Sequence, residues 1–354
     1  MRPTFTQPEM DVYICPRTGA PLRADGEGLT SGGEAPTYEV RRGIPILLID
    51  EPLDEENTGR LDRLNETAVR VGWREALDEM FEDEYSLRYV TDPSRLKILD
   101  LLELTKDDVA LDFGASLGTF TVEMAKRARH VHAIDISPGQ AEFTAERCRQ
   151  EGAANVTSAC GGDQCRLPYA DGTFDAVFFN LVFEWCVWRS AAEDYEAGQR
   201  RVLSEILRVL KPGGRLLLST KNRYALHYLK GGPDEHMGNM RFGNALPRFL
   251  TRRAWRDRLG RGRALAGLLH SHDGLSAILQ EEGFKPPRSF WAAPEMRFPR
   301  HYVPTDAASI REARRRPGFF EGQSRIYRLV MPRIPASLVK HFTPGLTFVA
   351  VKPG

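Results

Sequence analysis

VALDFGASLGTFTVEMAKRARHVHAIDISP, residues 109–138, decides the fold of this chain. It opens on an apolar run, 109–113, that reads as a buried strand. A glycine-bearing turn, FGASLGT (113–119), follows at once, then a helical stretch at 120–128. A second apolar strand, 130–134, ends on Asp135. Strand, glycine turn, helix and strand with a terminal acid is the order of a nucleotide pocket. The turn lets a ligand approach the backbone, and the acid grips a ribose.

Downstream, the spacing predicts strands at 155–160, 174–180 and 214–220, with helices at 138–150 and 192–210. This alternation calls for a parallel sheet covered on both faces. KPGG at 211–214 reads as a turn between helix and strand. A helix at 274–282 ends at Gly283, and strands are expected at 289–292 and 346–351. Two irregular, basic insertions, about 221–271 and 293–343, are too long for ordinary connections, and such loops usually carry function. Upstream, strands at 12–15, 38–41 and 46–49 form a small β module (residues 1–57) that ends in an acidic linker, 50–57. A helical lead-in at 58–105 follows, with apolar Leu61, Leu64, Ala68, Val71, Leu77, Met80 and Phe81 at helical spacing. The expected domains are therefore 1–57 and 58–354.

Hydrophobic residues make up 42% of the 354, ample for a buried core. No apolar run is long enough to span a bilayer, and the first 15 residues lack a secretory apolar segment, so a cytoplasmic protein is expected. Five cysteines without a C-x-x-C pair suggest neither a disulfide framework nor a zinc site, and no metal is expected. The net charge of +1 hides a polarity. Residues 1–110 carry 13 Lys and Arg against 24 Asp and Glu, whereas residues 221–354 carry 24 against 10. Such polarity fits either a charged partner or attraction between two parts of one molecule.

Asp112 precedes the turn, and Asp135 follows Gly118 by 17 residues. Then come Gly162–Asp163, LPYADGTFD at 167–175 and EILRVLKPGG at 205–214. This ordered set resembles class I S-adenosylmethionine-dependent methyltransferases over residues 95–292, with a last strand near 346–351. The resemblance implies a Rossmann-like, seven-stranded, mostly parallel α/β sheet and S-adenosyl-L-methionine as cofactor. It implies that Asp112 and the backbone of Gly114, Ala115, Ser116 and Gly118 hold the methionine moiety. Asp135, with Ile136 beside it, would bind the ribose hydroxyls. Asp163 would accept from the adenine amino group, Gln164 would pack beside the base, and Asn180 and Leu181 would border the sulfonium. Ser116 stands where the family often has cysteine or glycine, and its small side chain suits the turn.

Residues 14–22, with 38–40 and 43–48, resemble a zinc-ribbon-like segment of the kind that precedes some rRNA guanine methyltransferases. Thr18 occupies the place of a second metal cysteine, and one cysteine cannot supply a four-ligand site. The module is expected to be metal-free.

Three places are candidates for acceptor chemistry. Glu184, followed by Trp185, lies just beyond the fourth strand, where a base or cation-binding acid would sit. His227 and His236, the latter beside Asp234, lie beyond the fifth strand, at the end where ligands bind open α/β sheets. His236 is the first choice for a general base and His227 the second. An arginine-dense stretch (Arg248, Arg252, Arg253, Arg256, Arg258, Arg261, Arg263) suits capture of phosphate or carboxylate. The expected function is methyl transfer to an O or N atom of a small-molecule acceptor, sugar-like or another metabolite, which can carry phosphate or carboxylate. An RNA methyltransferase and a non-catalytic cofactor-binding protein are the alternatives.

Overall fold

A computed structural model describes residues 12–26, 28–33, 36–50, 55–187, 195–237, 239–251 and 267–354. The chain divides into two compact units. The first comprises Met1–Phe178, Ser204–Arg215 and Gly354, and the second comprises Phe179–Leu203 and Leu216–Pro353.

The first unit holds strands β1 (Arg23–Asp25), β2 (Gly28–Thr30), β3 (Tyr38–Arg41), β4 (Ile44–Leu47), β5 (Val109–Phe113), β6 (His130–Asp135) and β7 (Val156–Gly161), and most of β8 (Phe174–Asn180). They lie in the order β1-β2-β3-β4-β7-β6-β5-β8. From β4 to β8 every pairing is parallel, with Leu111 opposite both His132 and Val177. Ala110, Leu111, Val131, Ala133, Ile134, Ala176 and Val177 are buried. That follows from parallel strands covered on both faces, which must be apolar on successive residues rather than alternate ones.

Helices α1 (Glu55–Val71), α2 (Trp73–Met80) and α3 (Glu84–Thr91) make up the lead-in, followed by a 3₁₀ stretch, Pro93–Leu102. Leu61, Leu64, Ala68, Trp73 and Leu77 form one apolar cluster with Leu117 and Phe143. Trp73 also lies under the Arg147 guanidinium at 4.0 Å, while Arg147 donates to Leu117 O at 2.8 Å. The lead-in thus supports the glycine turn from behind. The four N-terminal strands do not stand apart: β4 continues the sheet, pairing Ile46 with Cys160 and Leu47 with Gly161 of β7. The strand bounds near 109–113 and 174–180 are those the periodicity gives, but β1 and β2 lie in glycine-rich sequence without an apolar pattern.

In the second unit, the end of β9 (Leu210–Lys221) lies beside β14 (Gly345–Val351), then β12 (Arg288–Ala293), then β13 (His301–Pro304). β12 runs antiparallel to both neighbours. Two-residue strands β10 (Pro233–Asp234) and β11 (Met240–Arg241) form a small ladder of their own. The sequence 293–343 is not irregular. Beyond β13 it carries helices Ala307–Arg315 and Arg325–Val330, and Ile310, Phe319, Tyr327, Met331 and Val339 close around Trp291. KPGG falls within the bounds of β9, and Gly213, at φ 77°, keeps the left-handed turn that the sequence predicts there. No helix among the described residues is long and apolar enough to cross a membrane.

Candidate functional site

In the first unit the turn after β5 is shaped by backbone rather than by side chains. Gly114, Ser116 and Gly118 all adopt positive φ (80°, 50° and 72°). At Gly118 a Cβ would also sit 3.2 Å from Thr144, so this position needs glycine twice over. Thr144 Oγ1 donates to Ser116 O at 2.8 Å and fixes the turn. Helix α4 (Thr119–Arg127) begins immediately afterwards.

Two acids face this turn from buried positions. Asp135, at the end of β6, accepts from Ser116 N at 2.8 Å and Ser137 N at 3.0 Å. Burial raises its pKa, and the surrounding backbone amides oppose the rise. Asp112 accepts from Thr121 Oγ1 at 2.6 Å and makes no ion pair among the described residues. Burial, helped by the negative charge of Asp135, pushes its carboxyl up to about 7 from an ordinary 3.8. A desolvated acid without a counter-ion suits a ligand that brings a cation. Asp135, held by two amides, keeps lone pairs for hydroxyl donors. Asp112, Gly114, Ala115, Ser116, Gly118 and Asp135 are thus brought together around one turn, a set that fits the methionine and ribose ends of S-adenosylmethionine, while Ile136, next after Asp135, packs with Ile44, Leu48, Ala141 and Cys160.

Asp163 and Gln164 lie at the turn after β7, but both side chains are engaged by the N-terminal segment. Asp163 accepts from the backbone of Ile49 and Asp50. Gln164 donates to the Asp50 carboxylate.

The second unit holds Asn180, Leu181 and the acceptor-side candidates. Leu181 has φ 59° and donates its N–H to Ser219 O at 2.7 Å. Glu184 and His236, 52 positions apart, meet in a fully buried cluster. Thr220 Oγ1 donates to Glu184 Oε2 at 2.7 Å. His236 Nδ1 lies 2.7 Å from Asp234 Oδ1, and Asn244 Nδ2 donates to Asp234 Oδ2 at 2.6 Å. Glu184 Oε1 and His236 Nε2 face each other at 4.0 Å, and neither has a hydrogen-bond partner among the described residues. The Trp185 ring covers His236 at 4.3 Å. Asp234, Glu235 and His236 also bring three metal-ligand atoms within 4.8 Å of one another. The imidazole, however, is committed to Asp234, and Glu235 is paired with Lys221.

His227 is not part of this cluster. It is exposed, on the wall of a cavity of about 370 Å³ lined also by Lys221, Lys230, Glu235, Arg297 and Tyr327. His227 faces this space directly. Arg248 ties segments of the second unit together: it donates to Leu269 O at 3.2 Å, lies 3.3 Å from His270 Nδ1 and pairs with Glu196 at 3.4 Å. The other arginines of that stretch lie outside the described residues. Thr220, Asn244 and the cavity residues Arg297 and Tyr327 carry no sequence signal. They come from separate segments and meet only in the fold.

The sheet, the turn and the two acids define the class I S-adenosylmethionine-dependent methyltransferase fold, and residues 111–218 match the family described as Methyltransferase domain. Similar curated proteins include the malonyl-[acyl-carrier protein] O-methyltransferase of Herminiimonas arsenicoxydans. It is 34% identical over 148 residues, 40% of this chain and 48% of the relative. The biotin biosynthesis bifunctional protein BioHC of Cellvibrio japonicus is 35% identical over 38% of this chain and 24% of its own length. The demethylmenaquinone methyltransferase of Mycolicibacterium vanbaalenii is 35% identical over 34% of this chain and 44% of its own length. The chain therefore spans about half or less of each of these relatives.

Proposed function

We propose that this chain is an S-adenosylmethionine-dependent methyltransferase acting on an O or N atom of a small-molecule acceptor. The observation that carries the cofactor half is the pair Asp112 and Asp135, buried on either side of a left-handed glycine turn. When bound, S-adenosylmethionine supplies an electrophilic methyl group. Asp112 answers the positive charge of the methionine end, Asp135 the ribose hydroxyls, and the turn permits close backbone approach. Direct methyl transfer then asks the protein mainly for alignment.

The acceptor half is supported by the cavity at the C-terminal end of β9. Its volume suits a small ligand, and such sites combine apolar walls with a few placed polar groups. Lys230, together with Lys221 and Arg297, which also pair with Glu235, favours an acceptor bearing phosphate or carboxylate. His227 is the residue there that can touch the acceptor and take a proton, whereas Glu184 and His236 hold each other's surroundings from within. The names of the relatives, which refer to malonyl-carrier and demethylmenaquinone substrates, agree with acceptors other than nucleic acid.

Calorimetric titration of the full chain with S-adenosylmethionine and S-adenosylhomocysteine tests the cofactor assignment. One-to-one binding of both is expected. Absence of binding by either sinks the reading.

A further inference from the structure

In the first unit, the N-terminal strands lead directly to the place where an adenine is expected. β4 runs parallel to β7, and two and three residues beyond the pairing of Leu47 with Gly161 the chain meets Asp163. The Asp163 side chain is buried, 3% exposed. Ile49 N lies 3.0 Å from its Oδ1 and 2.9 Å from Oδ2, and Asp50 N lies 2.8 Å from Oδ2. Gln164 Nε2 donates to the Asp50 carboxylate, and the Arg17 guanidinium donates to Ile49 O. Ile44, Ile46 and Leu48 anchor the same segment on Ala141 and Cys160. A carboxylate has about four acceptor sites. Here two of the chain's own amides take up much of that capacity, Ile49 N shared between both oxygens and Asp50 N on Oδ2, in charge-assisted bonds of the stronger kind.

We propose that Asp163 is a positioning residue that ties the segment 48–50 into the wall of the cofactor pocket, and that its carboxylate does not read the adenine amino group. The N-terminal strands are then part of the cofactor site, and a cofactor bound there rests against Ile49, Asp50 and Gln164. This rests on the S-adenosylmethionine reading of the first unit. It also gives the β module a role that needs no metal.

The test compares S-adenosylhomocysteine with S-inosylhomocysteine, whose base carries an oxo group in place of the amino group, on the full chain and its Asp163→Asn variant. Calorimetry gives affinities, and hydrogen exchange read by mass spectrometry follows peptides spanning 44–50. The variant should weaken both ligands by about the same factor, near tenfold, leave their ratio unchanged and speed exchange at 44–50. A collapse of the preference for adenine, with exchange at 44–50 unchanged, would overturn the proposal. The unsubstituted chain supplies a second measurement should the variant not fold. Saturating S-adenosylhomocysteine should slow exchange at 44–50, and no change there overturns the proposal as well. If the unsubstituted chain binds neither ligand, the cofactor reading itself fails, an outcome distinct from these.

Discussion

The two polar clusters of this protein are built on opposite plans. In the first unit, Asp112 and Asp135 flank a turn of consecutive residues, and backbone amides do much of the holding. In the second, Glu184, Thr220, Asp234, His236 and Asn244 come from three stretches of chain, and side chains hold side chains. The first plan leaves Asp112 desolvated and short of partners, as a site that awaits a cationic ligand should be. The second leaves Glu184 Oε1 and His236 Nε2 unmatched among the described residues, with the Trp185 ring over His236. Burial of a polar group alone therefore does not identify a reacting one. A ligand site needs backbone room or a cavity beside it, and the first cluster has a glycine turn.

The largest effect that separates the two plans is expected at Asp112. Its folded pKa, about 7, lies above the ordinary 3.8. The folded protein therefore holds a proton that the unfolded chain loses as pH rises between those values. Stability falls across that interval, and the penalty is complete above pH 7. Asp112→Asn removes it and keeps an oxygen for Thr121. The variant should be more stable than the parent by up to about 4 kcal/mol at pH 8, with almost no difference at pH 4, while its affinity for S-adenosylmethionine drops. Chemical denaturation at both pH values measures this. A variant less stable at pH 8 would mean that Asp112 already has a counter-ion.

The opposite sign is expected in the second cluster. Thr220→Val keeps shape but removes the hydroxyl that Glu184 accepts, and should cost about 1–3 kcal/mol of stability. S-adenosylhomocysteine affinity should stay the same. A comparable loss, about 1–3 kcal/mol, is expected in cofactor binding for Asp135→Ala, and calorimetry would show it. Unchanged binding removes Asp135 from the pocket. His227→Ala should lower turnover by roughly a hundredfold, the low end for an acid–base group, with cofactor affinity intact. Loss of cofactor binding instead would take His227 away from the acceptor side.

The contrast also explains what could be read from the residues alone. Asp112, the glycines, Ser116 and Asp135 share one short segment, so spacing exposes them. The parallel strands are apolar on successive positions and stand out for the same reason. Thr220, Asn244 and Arg297 have no local pattern, since only tertiary packing brings them near Glu184, His236 or the cavity. The 293–343 region reads as irregular because Trp291 gathers its partners from residues up to 48 positions away. Asp163 shows the intermediate case. Its place at the end of a strand is legible, but its partners Ile49 and Asp50 precede it by more than 100 residues.

Incubation of the full chain with methyl-labelled S-adenosylmethionine and a cell extract, followed by separation of RNA from small molecules, tests the central claim most directly. The account predicts label in the small-molecule fraction, abolished by Asp112→Asn. Label confined to RNA, or binding of the cofactor without any transfer, would contradict it.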